Sequence, residues 1–481
     1  MRASGQNLSA TSPAGLMLLL ASSAVVGSLV LLVDPELAPR LWLALGCAAA
    51  AVVFVWRFHR AAALTVSRFD QILWAILISH TVIVSRLRDP RALAEDSGLT
   101  PQIAAEIAIW IALLLYTAFR LCLNPGRWAN LVGPAARWAG LLFLAALAST
   151  LYAVSPLITA AWTLKLFVIL ILSCLMFDAR DPLGSLDRFR EATGLGLVLI
   201  LGQFLILGTL SPDSALDLSP ISGIPRLGGF LLPATQLATV SSLVLAMIAL
   251  DYLCGRRSRW RALVFAAASI MLLASLGRSA MIALALTLFV VLALFRRVKE
   301  ALVGSVALGI LLISIPGLMS ASWDLLSRRQ GPQEMASLTG RIPLWEKAVE
   351  LIWQKPLLGW GYVSGGRVAF LSMFKWWAPP HSHNAFLEIL LALGVVGGVI
   401  LLMLLYQTLR PAIQVLRGGW DRSRPGPVES ASLMIVGLMS LLLVDGMFSA
   451  GFSGAPRFEA TILVGCAFAA DLVSRVRREK S

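Results

Sequence analysis

Four consecutive residues late in the chain could do acid–base chemistry. His381, Ser382, His383 and Asn384 stand immediately before a long apolar run. An imidazole near its ordinary pKa can take a proton from a hydroxyl group as that oxygen attacks an electrophile, and the Asn384 side chain could cap the following helix or orient the imidazole. Two histidines two positions apart could instead bind zinc, although no third cluster of Cys, His or Asp lies near them in sequence. A pair of interface histidines without chemistry is the remaining alternative.

Three arginines lie near glycines, in predicted outside segments that precede helices. They are Arg226 in the run PRLGGF, Arg278 in LGRS and Arg341 in LTGR. A guanidinium held in such a segment is well shaped for phosphate or diphosphate oxygens. At any one of these positions, the arginine could instead simply extend its side chain to the lipid head groups. Three of them on one face of the protein favour an anion-binding site.

Other charged residues are weaker candidates. Glu388 stands one helical turn after His383. His381 is a supporting residue for His383. Lys165 lies inside an apolar segment, where a cation is costly enough to suggest a partner or a role. Asp445 and the pair at positions 457 and 459 adjoin the last predicted outside turn.

The predicted outer segments contain no DxD or similar pair of carboxylates. Enzymes that hold a phosphorylated donor through Mg²⁺ or Mn²⁺ usually need such oxygen ligands. We therefore expect no metal and no other cofactor. Positive side chains would then stabilise the negative charge of a leaving group.

Composition places the chain in a membrane. Hydrophobic residues make up 58% of its 481 residues, charged residues only 14%, and the mean hydropathy is +0.81. Soluble proteins have roughly a quarter charged residues. The net charge of +14 is explained by Lys and Arg in cytoplasmic loops, so nucleic acid is not an expected partner. The five cysteines are scattered through apolar segments and are expected to be small buried hydrophobes.

About fourteen segments are apolar and long enough to span a bilayer. They lie near 14–33, 41–57, 71–87, 103–122, 138–154, 157–177, 193–210, 233–253, 260–276, 279–296, 301–318, 384–409, 430–450 and 458–474. The first of these is expected to be a spanning helix rather than a cleavable signal peptide. Most Lys and Arg residues fall in inside loops when both termini are cytoplasmic. The sequence thus predicts one all-α, polytopic membrane domain over 1–481, with twelve or thirteen helices as an alternative count.

One outside loop, 319–383, is exceptionally long, and loops of this length are usually functional or disordered. Its composition is not that of a disordered segment, because it contains several tryptophans: Trp323, Trp345, Trp353, Trp360, Trp376 and Trp377. Pro343 and Pro356 bound a predicted helix from 343 to 355. Apolar residues cover much of its surface, which predicts an interfacial helix on the outer leaflet or a structural lid packed on the bundle.

Several motifs together resemble the central loop of the O-antigen ligase and polymerase family. They are the pattern RxxLW that begins at Arg341, the run KPLLGWG at 355–361, and HSHN at 381–384. His383 and Asn384 are followed by nine residues and then by GVVG, which matches the family pattern HN-x9-GxxG. The arginine segments around 226 and 278 are similar to two upstream motifs of the family. The resemblance covers about residues 220–400.

The resemblance implies a C-type glycosyltransferase fold and a metal-independent reaction. The donor would be a glycan carried on undecaprenyl diphosphate at the periplasmic face of the bacterial inner membrane. His383 would be the base that activates the acceptor hydroxyl, and Arg226, Arg278 and Arg341 would bind the diphosphate. A single displacement would invert the anomeric carbon. Fourteen helices exceed the twelve expected of the ligase branch.

The predicted function is therefore a polymerase that joins lipid-linked repeat units of an exopolysaccharide or O-antigen. A flippase and a chain-length regulator are possible partners of such an enzyme. A ligase that moves finished glycan to lipid A-core is the first alternative, since it would share the site and differ only in the acceptor. A membrane transporter is the second, although the chain lacks the inverted repeats or broken midplane helices that such proteins often show. The sugars, their linkage and the oligomeric state cannot be read from these motifs.

Overall fold

The computed structural model describes about two thirds of the chain. The described residues are 66–83, 110, 113–117, 121, 125–210, 212–217, 225–229, 232–297, 299, 303, 341–365 and 381–480. The predicted helices at 14–33, 41–57 and 301–318 lie largely or wholly outside them. So do most of the predicted helix at 103–122 and much of the long loop.

Within these residues the protein is almost entirely helical. The α-helices are α1 (Val66–Ile83), α2 (Pro134–Ala148), α3 (Pro156–Met176), α4 (Pro182–Leu210), α5 (Pro212–Ala215), α6 (Ala234–Leu253), α7 (Arg259–Ser275), α8 (Arg278–Leu294), α9 (Arg341–Gln354), α10 (Ala385–Arg417), α11 (Pro427–Gly446) and α12 (Phe458–Lys480). Short 3-10 helices cover Pro125–Val132, Ser149–Leu151 and Gly451–Ser453. Strands β1 (Leu216–Asp217) and β2 (Arg226–Leu227) form one antiparallel pair.

Six of the described helices are long and apolar enough to cross a membrane. They are α2 with its 3-10 extension, α3, α4, α6, α10 and α11. The shorter helix α8 is apolar as well. An all-α membrane protein is therefore confirmed, whereas the count of fourteen spanning helices stays a prediction.

Helix α12 lies at the centre of the bundle. Every residue from 458 to 473 is buried, as expected of a helix that is packed on all sides. Asp471 ties it to α2, because its carboxylate accepts hydrogen bonds from the backbone N–H groups of Ala135 (3.0 Å) and Ala136 (2.8 Å). A carboxylate from a distant helix thus caps the start of α2. Gly133 leaves the room for it, since a Cβ there would stand 2.1 Å from an Asp471 oxygen.

The two ends of the bundle differ in chemistry. One end holds ion pairs between residues of predicted inside loops and adjoining helix ends: Arg127–Asp178 (2.9 Å), Arg190–Asp251 (2.6 Å) and Arg256–Asp187 (3.0 Å). Because the long helices alternate in direction along the chain, the segments at 149–155, 212–217, 225–229, 276–278, 381–384 and 447–457 all fall at the other end. The candidate residues gather there.

Helix α10 is broken at Gly394, whose φ is +62°. The segment 356–361 fills the break: Trp360 N–H donates to the Leu391 carbonyl (2.9 Å), Gly361 N–H to the Ala392 carbonyl (2.9 Å), and Val395 N–H to the Pro356 carbonyl (2.8 Å). These bonds replace those that the helix loses. A Cβ on Gly394 would stand 2.3 Å from the Leu357 carbonyl, so only glycine fits. The motif KPLLGWG and the glycine nine residues after HN therefore form one packed unit.

Helix α9 is the helix that the sequence predicts at 343–355, and it begins two residues earlier than predicted. Leu344, Ala348 and Leu351 are buried on it and pack against Leu391 of α10. Trp353, by contrast, is 76% exposed. One face of α9 is thus fixed on the broken part of α10, directly beside the site residues.

Candidate functional site

Asn384 caps helix α10. Its side-chain oxygen accepts hydrogen bonds from the backbone N–H groups of Phe386 (2.9 Å) and Leu387 (3.1 Å). Such a cap contributes about 1 kcal/mol to a helix. The sequence allowed the Asn384 side chain either to cap the helix or to orient the imidazole. In the structure its side-chain oxygen caps the helix.

Ser382 anchors the segment before this helix. Its backbone N–H and its hydroxyl both donate to one carboxylate oxygen of Glu388, each at 2.9 Å. The Trp345 indole N–H of α9 donates to the Ser382 carbonyl at 3.0 Å. Glu388 is 2% exposed and lies in the first turn of α10, where a negative charge is favoured by the helix dipole. These bonds hold the histidines on either side of Ser382 in one conformation.

His383 has two unusual properties. Its backbone is left-handed, with φ at +53°, a conformation that costs a non-glycine residue energy and often marks functional positions. Burial first, and the nearby charge of Arg341 second, lower the pKa of His383 to about 4. The imidazole is therefore neutral near pH 7 and can accept a proton. The His381 ring packs edge-on against it, with the ring centroids 4.2 Å apart.

Arg341 is the first residue of α9. Its guanidinium lies over the Phe448 ring, 5.9 Å from the centroid. Burial lowers the pKa of Arg341, the neighbouring Asp445 carboxylate raises it, and the charge of Arg278 lowers it. The Asp445 carboxylate accepts hydrogen bonds from the Thr239 hydroxyl (2.9 Å) and the Ser449 hydroxyl (3.1 Å). The charge of Arg341 thus reaches His383, and the charge of Arg278 reaches Arg341.

Arg278 is the first residue of α8, where backbone N–H groups point out of the helix and favour an anion. The turn before it is tight: Leu276 has a φ of +51°, and a Cβ on Gly277 would stand 2.2 Å from the Ala238 Cβ. The glycine lets α8 approach α6 closely. The charge of Arg226 acts on Arg278, so these two arginines are neighbours as well.

Arg226 lies on β2 and pairs with Asp217 on β1. Its Nε and Nη2 groups donate to one Asp217 oxygen at 2.7 Å and 2.5 Å. The turn after it needs glycine, because Gly228 has a φ of +113° and a Cβ there would stand 2.3 Å from the Ala234 Cα. Asp217 orients this guanidinium, and the remaining N–H groups of the fork stay available to an anion.

The structure therefore brings together His383 and the three arginines that the sequence singled out, in the order Arg226, Arg278, Arg341, His383. Glu388 and His381 adjoin His383, as predicted. Lys165 differs: on α3, its ammonium lies 4.0 Å from the Trp162 ring centroid and 5.4 Å from that of Trp110. Its described contacts place it among these tryptophans rather than with the arginines.

Sequence reasoning missed two contributors to this site. Asp217 carries no motif, and only its strand pairing with residue 226 reveals it. Trp345 belongs to the RxxLW pattern, which pointed to a helix and not to a hydrogen bond with the histidine segment. Among the described residues, no group of three or more His, Cys, Asp or Glu side chains is placed to hold a metal ion. The metal-free reaction stays a prediction.

We expect the Glu388→Gln substitution to lower activity about 10-fold, because it weakens the two hydrogen bonds from Ser382 that one carboxyl oxygen of Glu388 accepts. The Ser382→Ala variant removes only the hydroxyl bond and should lose less. Both would be measured as turnover in membranes with equal protein content. Unchanged turnover in Glu388→Gln would show that the histidine segment does not depend on this carboxylate.

Together these features define a helical membrane protein with a partly buried, neutral histidine and three neighbouring arginines at one end of its bundle. Residues 262–402 match the family model described as O-antigen ligase. This stretch of the chain is therefore similar to the O-antigen ligase family, and the match confirms the resemblance found in the chain's motifs. The match includes Arg278, Arg341, His383 and Gly394, whereas Arg226 and Lys165 lie before it. No curated protein matches the chain.

Proposed function

We propose that the protein is a glycosyltransferase that moves an oligosaccharide from undecaprenyl diphosphate to a hydroxyl group of an acceptor glycan. One observation carries this proposal: a neutral imidazole, His383, next to a row of three arginines within reach of one another's charge. A base and a polyanion site side by side are what this reaction needs. The O-antigen ligase family match agrees with it.

His383 would act on the acceptor. The acceptor oxygen attacks the anomeric carbon of the donor, and its proton passes to the neutral imidazole. The new glycosidic bond forms as the bond to the diphosphate oxygen breaks, so the anomeric carbon is inverted. Undecaprenyl diphosphate leaves with the electron pair of the broken bond.

The arginines would bind the diphosphate before and during this step. Arg278 and Arg341 supply guanidinium groups in a partly buried setting, where charge-assisted hydrogen bonds to phosphate are strong. Arg226, already oriented by Asp217, supplies a third. Negative charge on the bridging oxygen grows as the bond breaks, and fixed positive groups stabilise it without having to move.

The acceptor we favour is a second lipid-linked repeat unit, which makes the protein a polymerase of exopolysaccharide or O-antigen. The site would then face the periplasm from the inner membrane, with both chain termini in the cytoplasm. A flippase would deliver the substrate, and a chain-length regulator would limit the product. The sequence pattern at 338–341 and the predicted count of fourteen helices favour a polymerase over a ligase.

A deletion strain tests the proposal, with its surface glycans separated on a gel. A lost polymerase of O-antigen leaves single repeat units on lipid A-core, and a lost exopolysaccharide polymerase leaves lipopolysaccharide intact while secreted polymer disappears. A lost ligase leaves lipid A-core without glycan while lipid-linked polymer accumulates, which would overturn the polymerase assignment. Glycans identical to those of the parent strain would contradict the whole proposal.

We expect transfer by the purified protein to continue in excess EDTA, because the arginines take the place of a metal at the diphosphate. The measurement is the initial rate with and without chelator, and a metal-dependent glycosyltransferase in the same detergent serves as the control. Loss of activity that added Mg²⁺ restores would contradict the metal-free mechanism.

A further inference from the structure

We propose that Arg457 and Glu459 form a subsite that binds hydroxyl groups of a sugar ring, separate from the arginines that face the diphosphate. The identity of the ligand as a glycan rests on the proposed function. The subsite itself rests on two buried polar atoms and on where they lie.

Arg457 and Glu459 stand at the entrance to the central helix α12. Glu459 is 4% exposed, and the Arg457 guanidinium is partly buried. Within the part of the chain that the structure describes, neither the Arg457 Nε nor the buried Glu459 Oε2 has a hydrogen-bond partner. Buried polar groups in proteins are almost always hydrogen-bonded, and an exception indicates a water or a ligand that completes the site.

The loop that precedes the pair packs against the start of helix α10. The Ser453 hydroxyl donates to the Ala385 carbonyl, and the Phe452 ring packs edge-on against Phe386 at 5.9 Å. The loop before Arg457 therefore lies against the first turn of α10, immediately after His383 and Asn384. A group bound by Arg457 and Glu459 would stand close to the proposed base.

The pair is also linked to the diphosphate-binding arginines. The charge of Asp445 acts on Glu459 and on Arg341. Asp445 is thus close enough to both Glu459 and Arg341 for its charge to act on each of them. A glycan whose diphosphate reaches Arg341, or whose acceptor hydroxyl reaches His383, would bring a neighbouring sugar hydroxyl toward this pair.

The chemistry of the pair suits a sugar. A guanidinium only donates hydrogen bonds, and a carboxylate only accepts them, whereas a hydroxyl does both. Two adjacent hydroxyls of one ring can accept from Arg457 and donate to Glu459. A phosphate would be repelled by Glu459, and a cation by Arg457, so neither satisfies both side chains.

The test uses the full-length protein in lipid nanodiscs, with lipid-linked donor and acceptor glycans. We expect Glu459→Gln and Arg457→Gln to raise the KM for one glycan about 10-fold, with kcat within about 3-fold of the parent value, because the lost bonds are to a non-reacting hydroxyl. Arg457→Lys should recover part of the affinity. The glycan whose KM rises tells whether the subsite holds the donor or the acceptor. Asp251→Asn, which breaks a partly buried ion pair at the opposite end, is the matched control and should leave both KM values unchanged.

A second arm pairs these variants with deoxy analogues of the glycan. One deoxy analogue should bind the parent protein about 10-fold more weakly than the complete glycan does. The Glu459→Gln variant should bind this analogue and the complete glycan equally well, because removing the sugar hydroxyl and removing the carboxylate break the same hydrogen bond. The subsite proposal would be overturned if the folded variants had parent-like KM values for both glycans, or if no analogue showed coupling with the substitutions. If Glu459→Gln fails to fold, Glu459→Asp replaces it. If the parent protein transfers no glycan, the proposed function fails, and calorimetric binding of the same analogues still tests the subsite.

Discussion

Replacing His383 with alanine is expected to lower the rate of glycan transfer about 10²–10⁴-fold, the usual contribution of a positioned general base. The acceptor hydroxyl would have to lose its proton to water instead. The measurement is the initial rate of purified protein at saturating donor and acceptor, together with the amount of protein in the membrane. Because the His383 side chain accepts none of the described backbone bonds, the variant should fold and insert normally.

The neighbouring His381 supplies the control. Its ring packs on that of His383, so His381→Ala removes an imidazole from the same place but leaves the proposed base. We expect a clearly smaller loss. If His383→Ala keeps parent-like activity, or if His381→Ala is the more damaging of the two, His383 is not the base.

The pH dependence follows from the same residue. The base form is the neutral imidazole, which predominates above its pKa. With the pKa of free His383 at about 4, kcat/KM should stay level from neutral pH downward and fall only as the pH approaches about 4. A bound diphosphate would offset the charge of Arg341 and raise that pKa, so the fall in kcat should begin at a higher pH than the fall in kcat/KM.

The Arg341→Gln substitution is expected to lower kcat/KM about 10²–10³-fold, the typical cost of one lost electrostatic contact to the leaving group. Arg341→Lys keeps the charge but loses the planar guanidinium fork. Its kcat/KM should lie between that of Arg341→Gln and that of the parent protein. Removal of this charge also removes one cause of the low pKa of His383, so the fall in kcat/KM should begin at a higher pH in Arg341→Gln. Loss of rate and shift of the pH profile would be measured on the same preparations.

Arg410 supplies a control of similar geometry. It lies over the Tyr406 ring at 5.8 Å, much as Arg341 lies over Phe448 at 5.9 Å, but it is on the far half of α10 and exposed. Arg410→Gln should keep parent-like rates. Equal tolerance of charge removal at Arg226, Arg278 and Arg341 would rule out the diphosphate site.

The sequence by itself determined the class of protein and the nature of its short-range structure. The excess of apolar residues permits few architectures other than a helical membrane bundle. Helix α9 was predicted to within two residues at its start, because proline and apolar spacing act over one or two turns. Asn384 as a helix cap follows from an equally local rule, whereas the HN-x9-GxxG spacing was recognised only through its resemblance to the family.

Only the tertiary structure decided which distant residues meet and what that does to their chemistry. Asp471 caps a helix more than 300 positions earlier in the chain, and Asp217 orients Arg226, yet neither carries a sequence signal. Lys165 was a weaker candidate from the sequence, and only packing placed it among tryptophans. The lowered pKa of His383 depends on burial and on Arg341, which comes from another helix. Such effects arise from contacts between elements far apart in sequence, and local patterns of residues do not encode them.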